Sequence, residues 1–291
     1  MDMTITNWII VVAYVVLAPL VGGLLDGFDR KISARMQRRV GPPLLQPFYD
    51  VIKLFNKQVI IVSRSQMFFL LSYMILIIVT GMMFFAGTDI LMCFFVMSTG
   101  ATFLYFAAMV TSTPYSTMGA NRELMQMLAY EPAVLLSCVG FYLADGTFDV
   151  NKIATSQNSS IMYLPGFFIA FVFILTIKMR KSPFDLSTSH HMHQELVKGL
   201  TTEMGARNLA IFQVTEWYEN IFLLGVVGLY IINSTWWSVL IAVAVVLIVY
   251  FIEILIDNSS ARVKADTMIR LSWGVTALSA GVNLIILMII K

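Results

Sequence analysis

Five acidic residues lie within, or at the edge of, stretches that are otherwise apolar enough to form membrane helices: Glu131, Glu216, Glu219, Glu253 and Asp257. A charge at the centre of a membrane helix costs about 2.5–3.5 kcal/mol on insertion scales, so such residues are kept mainly where they face a bundle interior or a wet cavity. Desolvation disfavours the charged form of a carboxylate, which lets a buried carboxylate exchange a proton near neutral pH. These residues therefore predict proton or ion transfer inside a membrane.

Other polar residues accompany these carboxylates at helical spacing. They are Arg122, Glu123, Gln126 and Tyr130 near Glu131, and Gln213 and Asn220 near Glu216 and Glu219. Pro132 follows Glu131 and removes a backbone hydrogen bond, which predicts a bend in that helix. A structural interpretation stays open for each carboxylate, in which an arginine or a backbone donor pairs with it. It is strongest for Glu253 and Asp257, because the cost of a charge falls towards the membrane interface.

All three histidines of the chain fall in one loop, as His190, His191 and His193. Their spacing does not place them on one helical face and no cysteine lies nearby, so a metal site has little support. Histidine is the usual proton carrier at physiological pH. A protonatable cluster and an ordinary solvated or interface loop both stay open.

No redox cofactor site is evident in the sequence. It contains no Walker A loop and no dinucleotide fingerprint. Its two cysteines, Cys93 and Cys138, lie far apart in apolar runs and form no CxxC pair. We therefore expect no catalytic residue, metal or cofactor in this chain.

The helices that position these residues are predicted from composition and hydropathy. The chain is 58% hydrophobic and 12% charged, whereas soluble domains carry about 25% charged residues. A helix needs about 20 apolar residues to cross the hydrocarbon. Eight segments qualify: 5–25, 66–86, 90–111, 122–144, 161–179, 210–232, 236–256 and 268–290. The prediction is an all-α membrane protein, a bundle of eight transmembrane helices in one domain, 1–291, whose first helix is retained because no basic region precedes it.

The basic residues predict the orientation of this bundle. Only Lys152 and Lys291 fall on one side; the other 17 of the 19 Lys and Arg residues lie in or beside the connections 26–65, 112–121, 180–209 and 257–267. The positive-inside rule places these four connections in the cytoplasm. Both termini are then outside, as an even number of spans requires.

The first of these connections contains an amphipathic pattern. Phe48, Val51, Ile52 and Phe55 fall at helical spacing, and charged or polar residues take the other face of 48–57. The pattern predicts a helix that lies on the membrane surface or under a partner.

Several runs along the chain resemble the NuoH family, a membrane component of respiratory complex I. The first cytoplasmic loop of that family resembles residues 33–47, SARMQRRVGPPLLQP, followed by Asp50, Lys53 and Leu54. Further similar runs, in the same order, are 119–123 (GANRE), 129–132 (AYEP), 183–186 (PFDL) and 195–197 (ELV). The resemblance spans nearly the whole chain, and the family's topology is also eight spans with both termini outside.

One loop departs from the complex I pattern. Complex I members carry several acidic residues between the PFDL and ELV runs, whereas residues 187–194 here read STSHHMHQ. This loop, and the run 257–262 (DNSSAR), look like the energy-converting, membrane-bound [NiFe] hydrogenases of group 4, the Ech type. The resemblance is to the NuoH-like membrane component of such enzymes, which need no quinone.

This resemblance implies a function as an anchor and coupling subunit. The chain would dock a peripheral arm, in which ferredoxin electrons reduce protons, to a membrane arm that pumps H⁺ or Na⁺. The implied partners are the hydrogenase large and small subunits, an iron–sulfur subunit and an antiporter-like membrane subunit, with the NiFe centre and iron–sulfur clusters in those chains. The implied location is the plasma membrane of a prokaryote, with the lipid bilayer and no nucleic acid as a partner.

The resemblance and the charge pattern together nominate two sets of residues. The proton or ion path would contain Glu123, Glu131, Asp185, His190, His191, His193, Glu195, Glu216, Glu219, Glu253 and Asp257. The docking surface would contain Arg35, Arg38, Arg39, Gln46, Asp50, Lys53 and Arg122. Two alternatives stay open: the quinone-site subunit of a complex I-like NADH dehydrogenase, and a stand-alone secondary transporter. A transporter would usually show an internal repeat and paired broken helices, and the sequence shows neither.

Overall fold

The computed structural model describes residues 5–58, 63–184, 186–188 and 198–290, which form helices and no β-strand. The helices are α1 (Ile5–Met36), α2 (Gln46–Phe55), α3 (Arg64–Phe85), α4 (Ile90–Met109), α5 (Pro114–Asp145), α6 (Val150–Ala154), α7 (Pro165–Lys178), α8 (Ala206–Leu229), α9 (Trp236–Ser259), α10 (Ala265–Thr276) and α11 (Val282–Ile290). A π-helical turn, Ala277–Gly281, joins α10 to α11.

The predicted bundle of membrane helices is confirmed, and each of the eight predicted segments is helical. In the described part of the chain, six helices are long and apolar enough to span a membrane: α1, α3, α4, α5, α9 and the continuous stretch Ala265–Ile289. Helix α7 is apolar but has 14 residues, or about 21 Å at 1.5 Å per residue, against a hydrocarbon thickness of about 30 Å. Helix α8 has 24 residues, is long enough, and carries Glu216 and Glu219.

Several helices continue beyond the predicted spans into the predicted loops. Helix α1 runs to Met36 and α9 to Ser259, while α5 begins at Pro114. In α1 the extension is stabilised by contacts one turn apart, where Arg30 Nε donates to Asp26 Oδ1 at 3.1 Å and Ser33 Oγ donates to Asp29 Oδ1 at 3.2 Å. Hydropathy therefore marks where the apolar run ends rather than where the helix ends.

The connections of the bundle gather at two ends. At one end Ile90 N donates to Phe148 O at 2.9 Å, and Ile161 N donates to Tyr230 O at 2.8 Å. At the other, which we call the basic end, Val263 N donates to Pro183 O at 3.2 Å. The structure thus separates residues 26–58 and 180–184 from residues 146–164, as the charge pattern predicts.

Helix α2 forms as predicted, and only part of its apolar face is buried. Phe48 packs against Trp217 of α8 with ring centroids 5.3 Å apart, and Val51 is buried in the same cluster. Ile52 and Phe55 are 57% and 43% exposed. Helix α8 covers only the side of α2 that bears Phe48 and Val51, so the predicted helix is confirmed and its contact with a membrane surface or a partner stays a prediction.

Candidate functional site

The basic residues that end α7 enter the bundle and pair with carboxylates. Lys178 Nζ lies 2.5 Å from Glu219 Oε1. Arg180 NH2 lies 3.0 Å from Glu123 Oε1, and its NH1 lies 2.5 Å from Glu216 Oε1. Helices α5, α7 and α8 thereby share one ion-pair network, formed by Lys178, Arg180, Glu123, Glu216 and Glu219.

The Lys178–Glu219 pair is the deeper part of the network. The two side chains are 5% and 6% exposed. Tyr73 OH donates to Glu219 Oε2 at 2.7 Å, and Lys178 Nζ lies 4.5 Å from the centre of the Tyr130 ring. A buried pair of this kind compensates the desolvation of both ions only because such further contacts are present.

Arg180 bridges two carboxylates from an uncommon backbone conformation. Its φ is +51°, in the left-handed region that costs a residue other than glycine about 1–3 kcal/mol. Burial by itself would lower the pKa of Arg180, but Glu123 and Glu216 outweigh burial and raise this pKa above its ordinary value. The guanidinium therefore stays charged and holds the two carboxylates together.

One turn before Glu123, helix α5 makes a close contact with the backbone of another segment. Any side chain at Gly119, one turn earlier in α5, would collide with the backbone at Gly199 and Leu200. The close approach requires glycine and lets residues 198–201 lie directly on α5.

A polar cavity of about 1340 Å³ connects this network to the surface of the basic end. Buried Lys178 and Glu219 line its inner part, and exposed Arg39 and Lys264 line its outer part. Thirteen lining residues are charged, eight basic and five acidic. Glu216, with a side chain 31% exposed, is the network carboxylate most open to this space. The arrangement can hold water and carry protons between the surface and the buried pairs.

A second group of charges lies beside the first, where α1, α9 and residues 181–182 meet. Lys181 Nζ lies 2.9 Å from Asp29 Oδ2 of α1. Ser182 N donates to Asp257 Oδ1 of α9 at 2.8 Å. Glu253, one turn before Asp257, is fully buried. The predicted carboxylates Glu253 and Asp257 therefore belong to the interface between α1 and α9.

Glu131 is placed away from the network. It is half-buried, and Leu128 and Leu135, one turn to either side, are 53% and 41% exposed. It does not line the cavity, and no hydrogen bond or ion pair from the described residues reaches its carboxylate. The prediction that Glu131 shares one path with Glu216 receives no geometric support within this chain, and its role stays a prediction.

Several predicted path residues lie outside the described residues. They are Asp185, His190, His191, His193 and Glu195. Their roles stay predictions.

The predicted docking residues divide into three groups. Arg35, Arg38, Arg39 and Lys53 are exposed at the basic end. Asp50 instead binds within the chain, since its Oδ2 lies 2.8 Å from Arg30 NH1 and its Oδ1 accepts from Gln46 Nε2 at 2.9 Å. Gln46 and Asp50 therefore tie α2 to α1, while Arg122 lines the cavity.

Sequence reasoning missed the basic half of the network. In that reasoning Lys178, Arg180 and Lys181 are only charges that set the orientation. The sequence does contain a signal for Lys178. It directly follows the apolar run of α7, and its charge would be costly inside the membrane unless it pairs with a carboxylate. The partners of Arg180 carry no local signal, because Glu123 and Glu216 are distant along the chain.

Comparison with known proteins gives one family match over almost the whole chain. The sequence profile of the NADH dehydrogenase family matches residues 8–288. The NuoH component of the NADH-quinone oxidoreductase of Magnetococcus marinus is 26% identical over 304 residues, which covers 92% of this chain and 87% of that protein.

Two further likenesses come from other complexes. Hydrogenase-4 component C of Escherichia coli K12 is 28% identical over 219 residues, covering 70% of this chain and 68% of that protein. A chain in the structure of the membrane-bound sulfane sulfur reductase, an archaeal respiratory membrane complex, superposes with a TM-score of 0.87 at 23% identity. That superposition covers 97% of this chain and 100% of the other, and it shows a shared fold.

Proposed function

Because the chain belongs to the NADH dehydrogenase family, as a membrane subunit of a complex I-like assembly, we propose that it anchors and couples an energy-converting [NiFe] hydrogenase. It docks a peripheral arm that oxidises ferredoxin and reduces protons, and it links that arm to H⁺ or Na⁺ translocation. The likeness to Hydrogenase-4 component C supports the hydrogenase branch.

The observation that carries the proposal is the ion-pair network at the inner end of the cavity. Arg180 holds Glu123 and Glu216 together, and Glu216 is open to the cavity. A charge change in a docked arm would alter the balance among these groups across a low-dielectric interior, where charges act on one another strongly. Proton uptake or release at Glu216 is the step through which this chain would couple electron transfer to ion movement.

The basic end supports the docking half of the proposal. Arg35, Arg38 and Arg39 are exposed there, and Val40 beside them is 91% exposed. Charged side chains around an exposed apolar one are suited to a protein interface. The proposed partners at this end are the hydrogenase large and small subunits and the iron–sulfur subunit, which would hold the NiFe centre and the clusters. The basic end would face the cytoplasm of a prokaryotic plasma membrane, with both termini outside.

The position of Glu131 supports the proposal that a membrane partner covers another face of the bundle. A carboxylate beside the exposed Leu128 and Leu135 would be costly against lipid, by about 2.5–3.5 kcal/mol at the membrane centre. A second membrane protein of the complex that covers this face of α5 and offers a donor to Glu131 would remove that cost. The antiporter-like subunit is the proposed occupant of this face.

The alternative is the quinone-site subunit of a complex I-like NADH dehydrogenase, since several relatives are named as subunits of NADH-quinone oxidoreductases. Ligand pockets for apolar molecules are lined mainly by apolar and aromatic side chains. Nearly half of the residues that line the cavity here are charged, eight basic and five acidic, which favours water and protons over a quinone ring.

The test is purification of the native complex through this chain. We expect co-purified hydrogenase subunits, nickel and iron in those subunits, and hydrogen evolution from reduced ferredoxin. A complex that instead reduces a soluble quinone analogue, contains no nickel and evolves no hydrogen would contradict the proposal.

A further inference from the structure

Helices α1 and α9 meet along a stripe of residues spaced by four: Leu25, Asp29 and Ser33 of α1, and Gln37 directly after α1. At one end of the stripe, Tyr250 OH donates to Leu25 O at 3.1 Å. At the other end, Asn258 Nδ2 donates to Ser33 Oγ at 2.9 Å, and Gln37 Nε2 donates to Asn258 Oδ1 at 3.1 Å. The level of Asp29 thus corresponds to the part of α9 between Tyr250 and Asn258.

Glu253 lies in that part of α9 without a partner. It is 0% exposed, and neither carboxyl oxygen has a hydrogen-bond partner in the part of the chain that the structure describes. Its neighbours in α9, Tyr250 and Ile254, belong to an apolar cluster to which α8 contributes Leu224 and α1 contributes Leu25 and Ile32. A carboxylate in such a place would be heavily penalised, so the neutral, protonated form is the stable one.

Two charged groups lie near Glu253: Asp257, one turn later in α9, and Lys181, which lies over the ring of Tyr250, one turn earlier in α9. Asp257 already accepts a hydrogen bond from Ser182 N. Lys181 Nζ lies 4.7 Å from the centre of the Tyr250 ring, one turn from Glu253, and 2.9 Å from Asp29 Oδ2. The ammonium therefore forms an ion pair with Asp29 alone, and its nitrogen makes no hydrogen bond within the described part of the chain.

We propose that Glu253 is a proton-binding site whose occupancy is set by Lys181, which pairs either with Asp29 or with Glu253. In the arrangement described, Lys181 pairs with Asp29 and Glu253 keeps its proton. When Lys181 leaves Asp29, the O–H bond of Glu253 breaks, the proton passes to the cavity, and the new carboxylate pairs with the ammonium. Lys181 stays charged throughout, and the cavity wall nearby includes Tyr250 and Asp257.

The stripe also connects this site to the proposed docking surface. Asp29 lies two turns before Gln37, and Arg38 and Arg39 follow directly. A shift of the end of α1 on docking or turnover would move Asp29 relative to Lys181. Only this last link depends on the proposed function.

The test is the infrared carbonyl band of protonated carboxylic acids, measured on the purified complex in lipid at neutral pH. Glu253→Gln should remove one component of this band. Asp29→Asn should also remove it, although Glu253 is intact, because Lys181 is then free to pair with Glu253. Adding Lys181→Met to Asp29→Asn should restore it.

Asp50→Asn is the matched control, because it removes a carboxylate that pairs with Arg30 at the same end of the bundle. The band should be unchanged in this variant. Lys181→Met alone gives a second measurement, in which the Glu253 component should persist to a higher pH than in the unchanged protein.

Three outcomes overturn the inference: no component lost in Glu253→Gln, a component unchanged in Asp29→Asn, or a pH midpoint unchanged in Lys181→Met. The measurement needs no turnover. A complex that evolves no hydrogen can still show the band, so this inference and the proposed function fail separately.

Discussion

Replacing Lys178 by methionine tests whether Lys178 and Glu219 depend on each other for their contribution to stability. Lys178 and Glu219 lie 2.5 Å apart with side chains 5% and 6% exposed. Methionine fills a similar volume but leaves Glu219 with Tyr73 as its remaining hydrogen-bond donor. Breaking a buried pair from one side costs about 3–5 kcal/mol, because the other charge stays buried without compensation.

The double variant Lys178→Met with Glu219→Gln should recover most of this loss. Glutamine is neutral, and its side-chain carbonyl can still accept from Tyr73. Replacing both members of a buried pair by neutral residues is often close to neutral in stability. We expect the double variant to lie within about 1–2 kcal/mol of the unchanged protein, the range of one altered hydrogen bond.

The assay is the free energy of unfolding of the purified chain in mixed detergent micelles, followed by circular dichroism. Arg30→Met is the matched control, since Arg30 pairs with Asp26 and Asp50 through side chains that are 31–35% exposed, and solvent-accessible pairs contribute about 0–1 kcal/mol each. The reasoning is refuted if Lys178→Met lowers the free energy of unfolding no more than Arg30→Met does. It is also refuted if the losses measured for Lys178→Met alone and Glu219→Gln alone simply add in the double variant.

Three further predictions concern coupling, docking and topology. Glu216→Gln should leave the complex assembled and lower hydrogen evolution linked to ion pumping on the order of a hundredfold, while activity with an artificial electron donor in detergent should fall much less. Glu131→Gln should have the same effect if a membrane partner completes its site. Normal pumping in both variants would contradict the coupling role. Replacing Arg38 and Arg39 together by Glu should release the peripheral arm while the chain stays inserted, as membrane fractionation would show; an arm that stays bound and fully active would leave those arginines a role in orientation only. Single cysteines at positions 38 and 152 should be labelled from opposite sides of the membrane, and labelling from the same side would exclude the topology.

The sequence by itself determined the helical bundle, because hydropathy is a property of each segment. The eight apolar segments all became helices, and the basic residues gathered at one end as their distribution predicts. The run SARMQRRVGPPLLQP and its companions were sufficient for the family resemblance, which the match over residues 8–288 confirms. Helix α2 also followed from its own periodicity.

Only the tertiary structure decided which charges meet. Arg180 reaches Glu123 and Glu216 because three helices converge on it and its backbone adopts φ +51°. Similarly, Lys181 meets Asp29, more than 150 residues away along the chain, across the α1–α9 interface.

Orientation about each helix axis was also decided by packing. Glu131 and Glu216 carry similar sequence signals, yet one flanks an exposed apolar face and the other faces the cavity. Ile52 and Phe55 share the apolar pattern of Phe48 and Val51, yet only the latter pair meets α8. Helical periodicity tells which residues share a face, but the neighbours that cover a face are set by contacts between distant segments.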